Sequence, residues 1–343
     1  MRLSPNQQKK ILIGATAIAA VLAVVIVALA IVAEQSLPAR AGSAGDEALA
    51  SSTTSATAAA SLATPAPAAV ATAVLSPHGA PLDAYQGLAS WVDVYDTPAW
   101  RNPKGAVLDM ARHGVRTLFV QTSHYNSATP FCNVKALCEF IAEGHAHGMK
   151  VVAWYLPNMK PRSVDYKRVV AAVNLRTADG QAFDSFALDI ESNAVKSEAM
   201  RNRYLKALSL KMRAAVGPTY PLGAIIPAPV ALRKENSLWH NFPYTMLAGI
   251  YDVFVPMGYY TYDGTGASTA YSDVRSNLAI LRSQRGCAQT PIHLIGGIAE
   301  DSSRAQVDAF VQGAREGKVL GASLYGWAGT SRVAWKSLSA IKR

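Results

Sequence analysis

The sequence has few cysteines and no cysteine or histidine spacing that is typical of a metal site. Its 343 residues include only Cys132, Cys138 and Cys287, too few for a disulfide framework. Cys132 and Cys138 are close enough in sequence to form one disulfide in an oxidising compartment, and two free thiols are an equal alternative. Because zinc-type spacing is absent, we expect neither a metal nor a cofactor.

The sequence also lacks a cluster of basic residues, although its net charge is +10 from 33 Lys and Arg against 23 Asp and Glu. A positive balance favours anionic surroundings such as wall polymers or lipid headgroups. A nucleic-acid interface normally needs basic residues grouped on one face. We therefore expect no nucleic-acid partner.

Charge is missing entirely from residues 11–33, a run rich in Ala, Val, Ile and Leu. A helix of this length spans a bilayer core of about 30 Å. Basic residues precede the run within residues 1–10, and Glu34 follows it. The positive-inside rule predicts a cytoplasmic tail at 1–10 and a single-pass signal anchor in the cell membrane, with everything later extracytoplasmic. Secretion after signal cleavage is the alternative, but a signal peptide's apolar core normally has about 7–15 residues.

Large apolar residues are scarce from residue 34 to 83, where Ala, Ser, Thr and Pro dominate. Such a segment cannot bury enough apolar surface to offset the entropy lost on ordering. We predict a disordered, flexible linker over residues 34–83.

A different pattern fills the catalytic domain that we predict over residues 84–343. Eight short apolar runs alternate with segments long enough for helices, the pattern of an α/β protein. Eight such units in about 255 residues are the expected size of a (β/α)8 TIM barrel. No Gly-rich phosphate loop follows the first run, which argues against a doubly wound sheet. The predicted strands are 88–96, 115–123, 150–157, 183–191, 220–228, 251–260, 291–299 and 321–329.

The fourth run, FDSFALDIE, ends in two carboxylates. The two-residue period of a strand places Asp189 and Glu191 on one face and the apolar residues on the other. Because the apolar face must meet the surrounding helices, both acids point into the barrel mouth. Mutual repulsion and burial raise the pKa of at least one of them, as a general acid requires.

Polar and aromatic residues gather at the other strand ends, where TIM-barrel active sites lie. Tyr and Trp rings can stack on the apolar faces of sugars while their polar edges bind hydroxyl groups. The predicted substrate-binding residues are Trp91, Asp93, Gln121, His124, Trp154, Tyr155, Met257, Tyr259, Tyr260, Asp263 and Trp327.

The motif DSFALDIE resembles the D-x-x-D-x-D-x-E signature of family 18 glycoside hydrolases, the chitinase-like barrels. Asp184, Asp189 and Glu191 match, whereas Ala187 stands in place of the second Asp. VPMGYY resembles the family's M-x-Y-D motif, with Tyr260 in place of its Asp.

That resemblance implies the chemistry of a glycoside hydrolase. Glu191 would be the acid/base, and Asp189 would orient a substrate acetamide and stabilise its charge. Tyr259 would hydrogen-bond the same group, and Trp327 would lie under the sugar ring. The expected partner is a polysaccharide such as chitin, another wall glycan or peptidoglycan.

Other interpretations stay open. Lysozyme-like barrels of family 25, which attack peptidoglycan, also end their fourth strand in D-x-E. A two-carboxylate mechanism could recruit Asp93 or Asp263. The Ala187 and Tyr260 departures also fit a catalytically silent, glycan-binding barrel anchored at the cell surface. A metal-assisted hydrolase using the acids and His124 is a further possibility.

Overall fold

The computed structural model describes residues 74–160, 164–234 and 236–341. Eight parallel strands form a closed barrel in the order β1 to β8, each hydrogen-bonded to the next and β8 to β1. This confirms the predicted (β/α)8 barrel. The strands are β1 (Gly87–Val92), β2 (Thr117–His124), β3 (Lys150–Leu156), β4 (Ser185–Asp189), β5 (Leu222–Pro227), β6 (Val253–Met257), β7 (His293–Ile298) and β8 (Gly321–Tyr325).

Helices follow every strand. They are α1 (Thr97–Arg101), α2 (Pro103–Arg112), α3 (Val134–Ala146), α4 (Asp165–Asn174), α5 (Glu198–Val216), α6 (Pro229–Lys234), α7 (Asn236–Trp239), α8 (Tyr244–Ala248), α9 (Ala267–Ser283), α10 (Arg304–Glu316) and α11 (Arg332–Leu338). Side-chain caps begin several of them; at α10, for example, Ser303 and Gln306 form a capping box. Short 3-10 turns lie at Asp83–Tyr85 and Tyr260–Tyr262.

The strands are buried on both faces, so the protein has two apolar cores. Outward residues such as Phe186 and Leu188 pack against the helices in the larger core. Inward residues such as Phe119 and Val255 fill the barrel. The barrel is therefore a packed support for groups at its carboxyl end rather than a channel.

The amino-terminal end of the barrel, its bottom, is plugged by Tyr85. The Tyr85 hydroxyl lies 2.6 Å from the Ser185 hydroxyl, and both residues are fully buried. Gly223 makes room for the ring, since a Cβ there would lie 2.5 Å from the Tyr85 oxygen. The bottom is therefore closed by side chains.

Residues 74–83 also belong to the bottom, although we predicted a linker up to residue 83. The Ser76 hydroxyl donates to Asp252 Oδ1 at 2.6 Å, while Arg213 and the Leu222 backbone N–H bind Oδ2. Ala80 and Leu82 are completely buried. The polypeptide thus joins the barrel at the face opposite its mouth.

The predicted tail, anchor and most of the predicted linker, residues 1–73, lie outside the described residues. Among the residues that are described, no helix combines the length and apolar character needed to cross a membrane. The thiols of Cys132 and Cys138 are both free, and each faces a different carbonyl group, those of Gln121 and Arg176.

Candidate active site

The two acids of β4 enter the mouth by strand alternation. Ala187 packs in the inner core, whereas Phe186, Leu188 and Ile190 pack outside. The Ile190 N–H donates to the Ile225 carbonyl at 2.8 Å, which extends the β4–β5 ladder past the last strand residue. Glu191 therefore follows Asp189 in strand register, as the sequence pattern predicts.

Asp189 is a buried acid without a hydrogen-bond partner for one of its oxygens. Its side chain is 5% exposed, and within the described part of the chain nothing binds Oδ1. Burial raises the pKa of Asp189 well above its usual range, and the nearby charge of Glu191 raises it further. Burial and the mutual repulsion of Asp189 and Glu191 therefore oppose ionisation of both acids at once.

Glu191 lies above Asp189, where the mouth opens. Surrounding protein raises the pKa of this carboxyl by desolvation, although the side chain still meets solvent. A substrate can thus reach Glu191 directly. Together the acids provide one buried carboxyl beneath one accessible carboxyl, each with a raised pKa, an arrangement suited to general acid–base chemistry.

Three further groups complete the mouth beside these acids. The Tyr325 hydroxyl donates to Asp93 Oδ2 at 2.8 Å, and the Tyr259 and Tyr325 rings are 6.0 Å apart. Burial, then the charges of Glu191 and Asp189, raise the pKa of Tyr259 well above its ordinary value. Tyr259 has φ 44°, rare for a non-glycine residue and characteristic of functional sites. Both tyrosines thus carry neutral hydroxyl groups beside the acids.

Trp91, Trp154 and Met257 form the floor of the mouth. The Trp91 ring stacks on Phe119 at 4.0 Å and donates to Ser323, so it is a core group at 2% exposure. Trp154 is 5% exposed, and its Nε1 has no hydrogen-bond partner among the described residues. The floor thus presents one unused donor, Trp154 Nε1, near Ala187, its cross-strand neighbour.

Two predicted substrate-binding residues lie outside the barrel. Tyr155 is fully buried between strands and helices, and its hydroxyl donates to Asp165. Tyr260 is also fully buried and donates to Ser302. Tyr155 directly follows the inward Trp154 on β3, and adjacent residues of a strand face opposite ways. Tyr260 lies beyond β6, in the 3-10 turn Tyr260–Tyr262, where its ring packs against Phe310 of α10. Neither ring can stack on a ligand in the mouth.

Three further predicted substrate-binding residues lie at the rim of the mouth, and their side chains contact neighbouring residues of the protein. Trp327 donates its Nε1–H to Asp109 of α2, because the chain leaves the strand direction after Tyr325. Asp263 pairs with Lys234 at 3.3 Å. The His124 ring lies 4.2 Å from the Tyr125 ring in a tilted contact, and its Nδ1 accepts from the Asn126 N–H.

Gln121 supports the mouth rather than lining it openly, since it is 2% exposed and its Oε1 accepts the Val94 N–H at 3.0 Å. Within the ranges given above, no three His, Cys, Asp or Glu side chains are grouped so that they could hold a metal ion. Asp184, which matches the first position of the signature, lies at the bottom of the barrel. There it accepts hydrogen bonds from His145, Lys150 and the Val151 N–H.

The structure adds mouth residues that we did not select from the sequence. Tyr325 shares inward parity with Ser323 on β8, but the family resemblance favoured Trp327. Tyr95 and Tyr262 are 48% and 62% exposed at the rim. Strand parity could have identified Tyr325, whereas the two rim tyrosines lie in turns with no periodic pattern.

No family model and no curated protein matches this chain. Solved structures, however, do match it. A family GH18 chitinase from Cycas revoluta, in a complex with allosamidin, has a TM-score of 0.54 and 13% identity, covering 74% of this chain and 99% of the other. An endo-1,4-β-mannanase from Rhizomucor miehei has a TM-score of 0.57 and 9% identity, covering 75% and 94%.

A further similar structure is the endo-β-1,4-mannanase from Thermotoga petrophila. Its TM-score is 0.54 at 13% identity, and the match covers 71% of this chain and 68% of that protein. At such identities the likeness speaks for the fold alone. The chain has the (β/α)8 fold that is also found in these chitinases and mannanases, and its mouth is built around Asp189 and Glu191.

Proposed function

We propose that this protein is a glycoside hydrolase that cleaves O-glycosidic bonds in a polysaccharide, a cell-wall or chitin-like glycan. The observation that carries the proposal is the position of the acid pair. Asp189 is buried at the end of β4, whereas Glu191, two residues later, is open to the mouth. The fold shared with chitinases and mannanases agrees with it.

In this proposal Glu191 is the acid/base. It gives a proton to the glycosidic oxygen as the bond to the anomeric carbon breaks, and later takes a proton from the attacking water. Asp189 stabilises positive charge near that carbon, either directly or through a substrate acetamide. Mutual repulsion keeps one proton on the pair before substrate binds; in the reacting state that proton is on Glu191, which donates it, and Asp189 is the anion.

Tyr259 and Tyr325 assist as hydrogen-bonding groups. Both keep their hydroxyl protons at neutral pH, since burial raises the pKa of each. Tyr325 is held by Asp93, so its oxygen has a fixed position in the mouth. A fixed hydroxyl costs little reorganisation when it binds a sugar.

A second candidate function is a glycan-binding barrel without catalysis. Ala187 favours it, because this fully buried methyl group occupies the place of the second acid in the resembled signature. Without that acid, Asp189 Oδ1 has no partner among the described residues. Glycan binding without release of reducing ends would identify this function.

We also propose that residues 11–33 anchor the protein in the cell membrane, with the barrel on the extracytoplasmic side. The absence of charge from residues 11–33, with basic residues before them and Glu34 after them, supports this proposal.

The experiment is incubation of the full-length chain in detergent with chitin, peptidoglycan and wall-glycan fragments, followed by mass analysis of the products. New reducing ends on one of these glycans are the expected result. Binding without products would favour the non-catalytic function, and neither binding nor products would contradict both.

A further inference from the structure

Helix α5 exposes cations and apolar side chains on one face, without an acid among them. Met200 and Leu210 are 36% and 48% exposed. Arg203, Lys206 and Lys211 are exposed on the same face, and the other exposed positions of the helix are alanines. A helix face that meets only water normally carries polar side chains and charges of both signs.

The exposed apolar residues are not an edge of the core. Leu205, Leu208 and Met212 are the α5 residues that pack against the barrel. The helical period of 3.6 residues places Leu210 on the side opposite them. Its exposed surface is therefore not used for packing within the barrel.

The acids of α4 and α5 do not offset the exposed cations. Glu198 is the only acid of α5, and its carboxylate accepts the N–H groups of His240 and Asn241 at 2.7 and 3.1 Å. Asp165 is the only acid of α4, and it is 1% exposed. Neither carboxylate belongs to the outer surface of its helix.

The three cations are also unpaired. In the part of the chain that the structure describes, no ion pair includes Arg203, Lys206 or Lys211. Helix α10 differs, because Arg304 pairs there with Asp308, one turn along, at 3.5 Å. The positive potential of the outer side of α5 is thus not cancelled by neighbouring acids.

Helix α4 extends this surface. It packs beside α5, and the Lys211 ammonium lies 5.9 Å from the centre of the Tyr166 ring, which is 37% exposed. We call the following residues the α4–α5 face: Tyr166, Met200, Arg203, Lys206, Leu210 and Lys211.

Two properties of the face together indicate its partner. Unpaired cations attract a negative charge, and exposed apolar side chains gain free energy when they leave water. An anionic bilayer surface offers both, with phosphate groups above an apolar interior. Long basic side chains can reach the headgroups while their stems lie along apolar surface. A soluble polyanion would engage the cations but give no gain to Leu210 or Met200.

We propose that the α4–α5 face binds the surface of an anionic phospholipid bilayer. Its cations contact the headgroup phosphates, and Met200 and Leu210 enter the boundary between headgroups and acyl chains. This interaction surface is separate from the barrel mouth and does not rest on the proposed hydrolysis.

The test places a fluorescent label on the face in the full-length chain, reconstituted with liposomes of phosphatidylcholine with and without phosphatidylglycerol. The label is attached through Ala207→Cys, an exposed position between the cations, after Cys132→Ser and Cys138→Ser; Cys287 is fully buried and stays. Nitroxide lipids should quench this label when phosphatidylglycerol is present. High salt should reduce the quenching, because it screens the charges.

Variants separate the two parts of the surface. Arg203→Gln with Lys206→Gln should lower the ratio of quenched to unquenched label about thirtyfold, the effect of two basic residues at a membrane. Leu210→Gln should lower it about fivefold, because half-exposed apolar surface is lost. Thermal unfolding checks that the variants stay folded.

The matched controls lie on α10, which follows β7 on the far side of the barrel. Arg304→Gln with Arg315→Gln removes the same charge and should leave quenching of the Ala207→Cys label unchanged. A label attached through Gln312→Cys, an exposed position of α10, should show little quenching in any liposome.

Three outcomes would overturn the proposal. One is quenching that is equal with and without phosphatidylglycerol, or equal for the labels on α5 and α10. Another is quenching that the α5 variants leave unchanged. The third is binding of soluble polyglutamate, lost in Arg203→Gln with Lys206→Gln, without quenching by any liposome; this would assign the face to an anionic polymer instead.

Discussion

Asp189 and Glu191 differ in how far they are buried, and this difference is the basis of the separate roles that we propose for them. Asp189 is buried and lacks a partner for Oδ1 among the described residues, whereas Glu191 meets solvent. A buried carboxyl without a hydrogen-bond partner lowers the free energy of unfolding, whether it is ionised or protonated. The site is therefore a place where stability is given up for chemistry.

Replacing Asp189 by Asn should stabilise the folded protein at neutral pH. Because the pKa of Asp189 is raised on folding, the folded state binds more protons than the unfolded state as pH rises above about 4, and stability falls. The Asn variant lacks that penalty. We expect about 1 kcal/mol of added stability at pH 8 and less at pH 4. Denaturant unfolding at the two pH values measures it; a variant less stable at both would contradict it.

Tyr325→Phe should lower kcat/KM about fivefold while leaving the fold intact. The change removes one hydroxyl that donates to Asp93, and one such hydrogen bond contributes about 1 kcal/mol. Steady-state kinetics and circular dichroism measure the two effects. Unchanged kinetics would exclude Tyr325 from the site.

At the scale of elements, α9 and the turn after β6 meet through two acids. Burial, then the charge and hydrogen bond of Asp263, raise the pKa of Asp273 to about 7. Asn277 on the same helix donates to Asp273, and Lys234 pairs with Asp263. Asp273 also approaches Gly258, the residue before Tyr259.

We therefore expect the Asp273→Asn variant to lack the fall in stability that the wild-type protein shows between pH 4 and pH 7. A raised folded-state pKa means that wild-type stability falls as pH rises from the unfolded pKa, near 4, to about 7. The Asn variant should be more stable than wild type at pH 8 by an amount on the order of 2 kcal/mol. Thermal unfolding at pH 5 and pH 8 tests this, and an equal difference at both pH values would rule it out.

The contact between α3 and the residue before β4 should also contribute less stability as pH rises. The cause here is the deprotonation of a histidine rather than the ionisation of a buried acid. The Asp184 hydrogen bond is the main cause that raises the pKa of His145, so the protonated ring binds that carboxylate in the folded state. This contribution is complete below about pH 6.5 and is lost as pH rises through the raised pKa. His145→Gln should cost about 1 kcal/mol at pH 6 and less at pH 9, measured by denaturant unfolding. His147→Gln serves as the control on the same surface.

The strands were predictable because each is buried on both faces and therefore appears in the sequence as a short apolar run. Each run ends before the helix that follows it. The acid pair followed from the two-residue period of β4. The same period, applied strictly, would have separated Trp154 from Tyr155, whereas Tyr259 and Tyr260 lie beyond β6, where the chain is no longer extended. Trp327 could not be placed in this way, because it follows β8 in a turn where the side chain binds Asp109.

On the scale of the whole molecule, the segment that enters the barrel is part of the fold. Residues 74–83 have the composition of a linker, yet Ser76 binds Asp252, a residue 176 positions later. The composition of a segment indicates its average tendency to be disordered. It cannot reveal a hydrogen bond to a single residue far along the chain. The boundary between linker and barrel was therefore not visible in the sequence.

Ser76→Ala should destabilise the barrel by about 1–3 kcal/mol. It leaves Asp252 Oδ1 without its hydroxyl donor and removes the acceptor of the Ala80 N–H. Ser283→Ala should change stability much less, since its exposed hydroxyl donates to the Ile280 carbonyl of the same helix and accepts a long hydrogen bond of 3.5 Å from Gln284 Nε2. Guanidinium unfolding compares the two variants, and equal effects would show that the segment contributes no more than an ordinary surface.

The most direct test of the central claim is the rate of reducing-end release by the Glu191→Gln variant on whichever glycan the unmodified protein cleaves. We expect turnover to fall by about a thousandfold or more, since the acid/base is lost, while glycan binding and thermal stability stay close to wild type. Glu143→Gln, at an exposed ion pair with Lys104, is the matched control and should keep full turnover. Full turnover by Glu191→Gln would contradict the assignment of the active site.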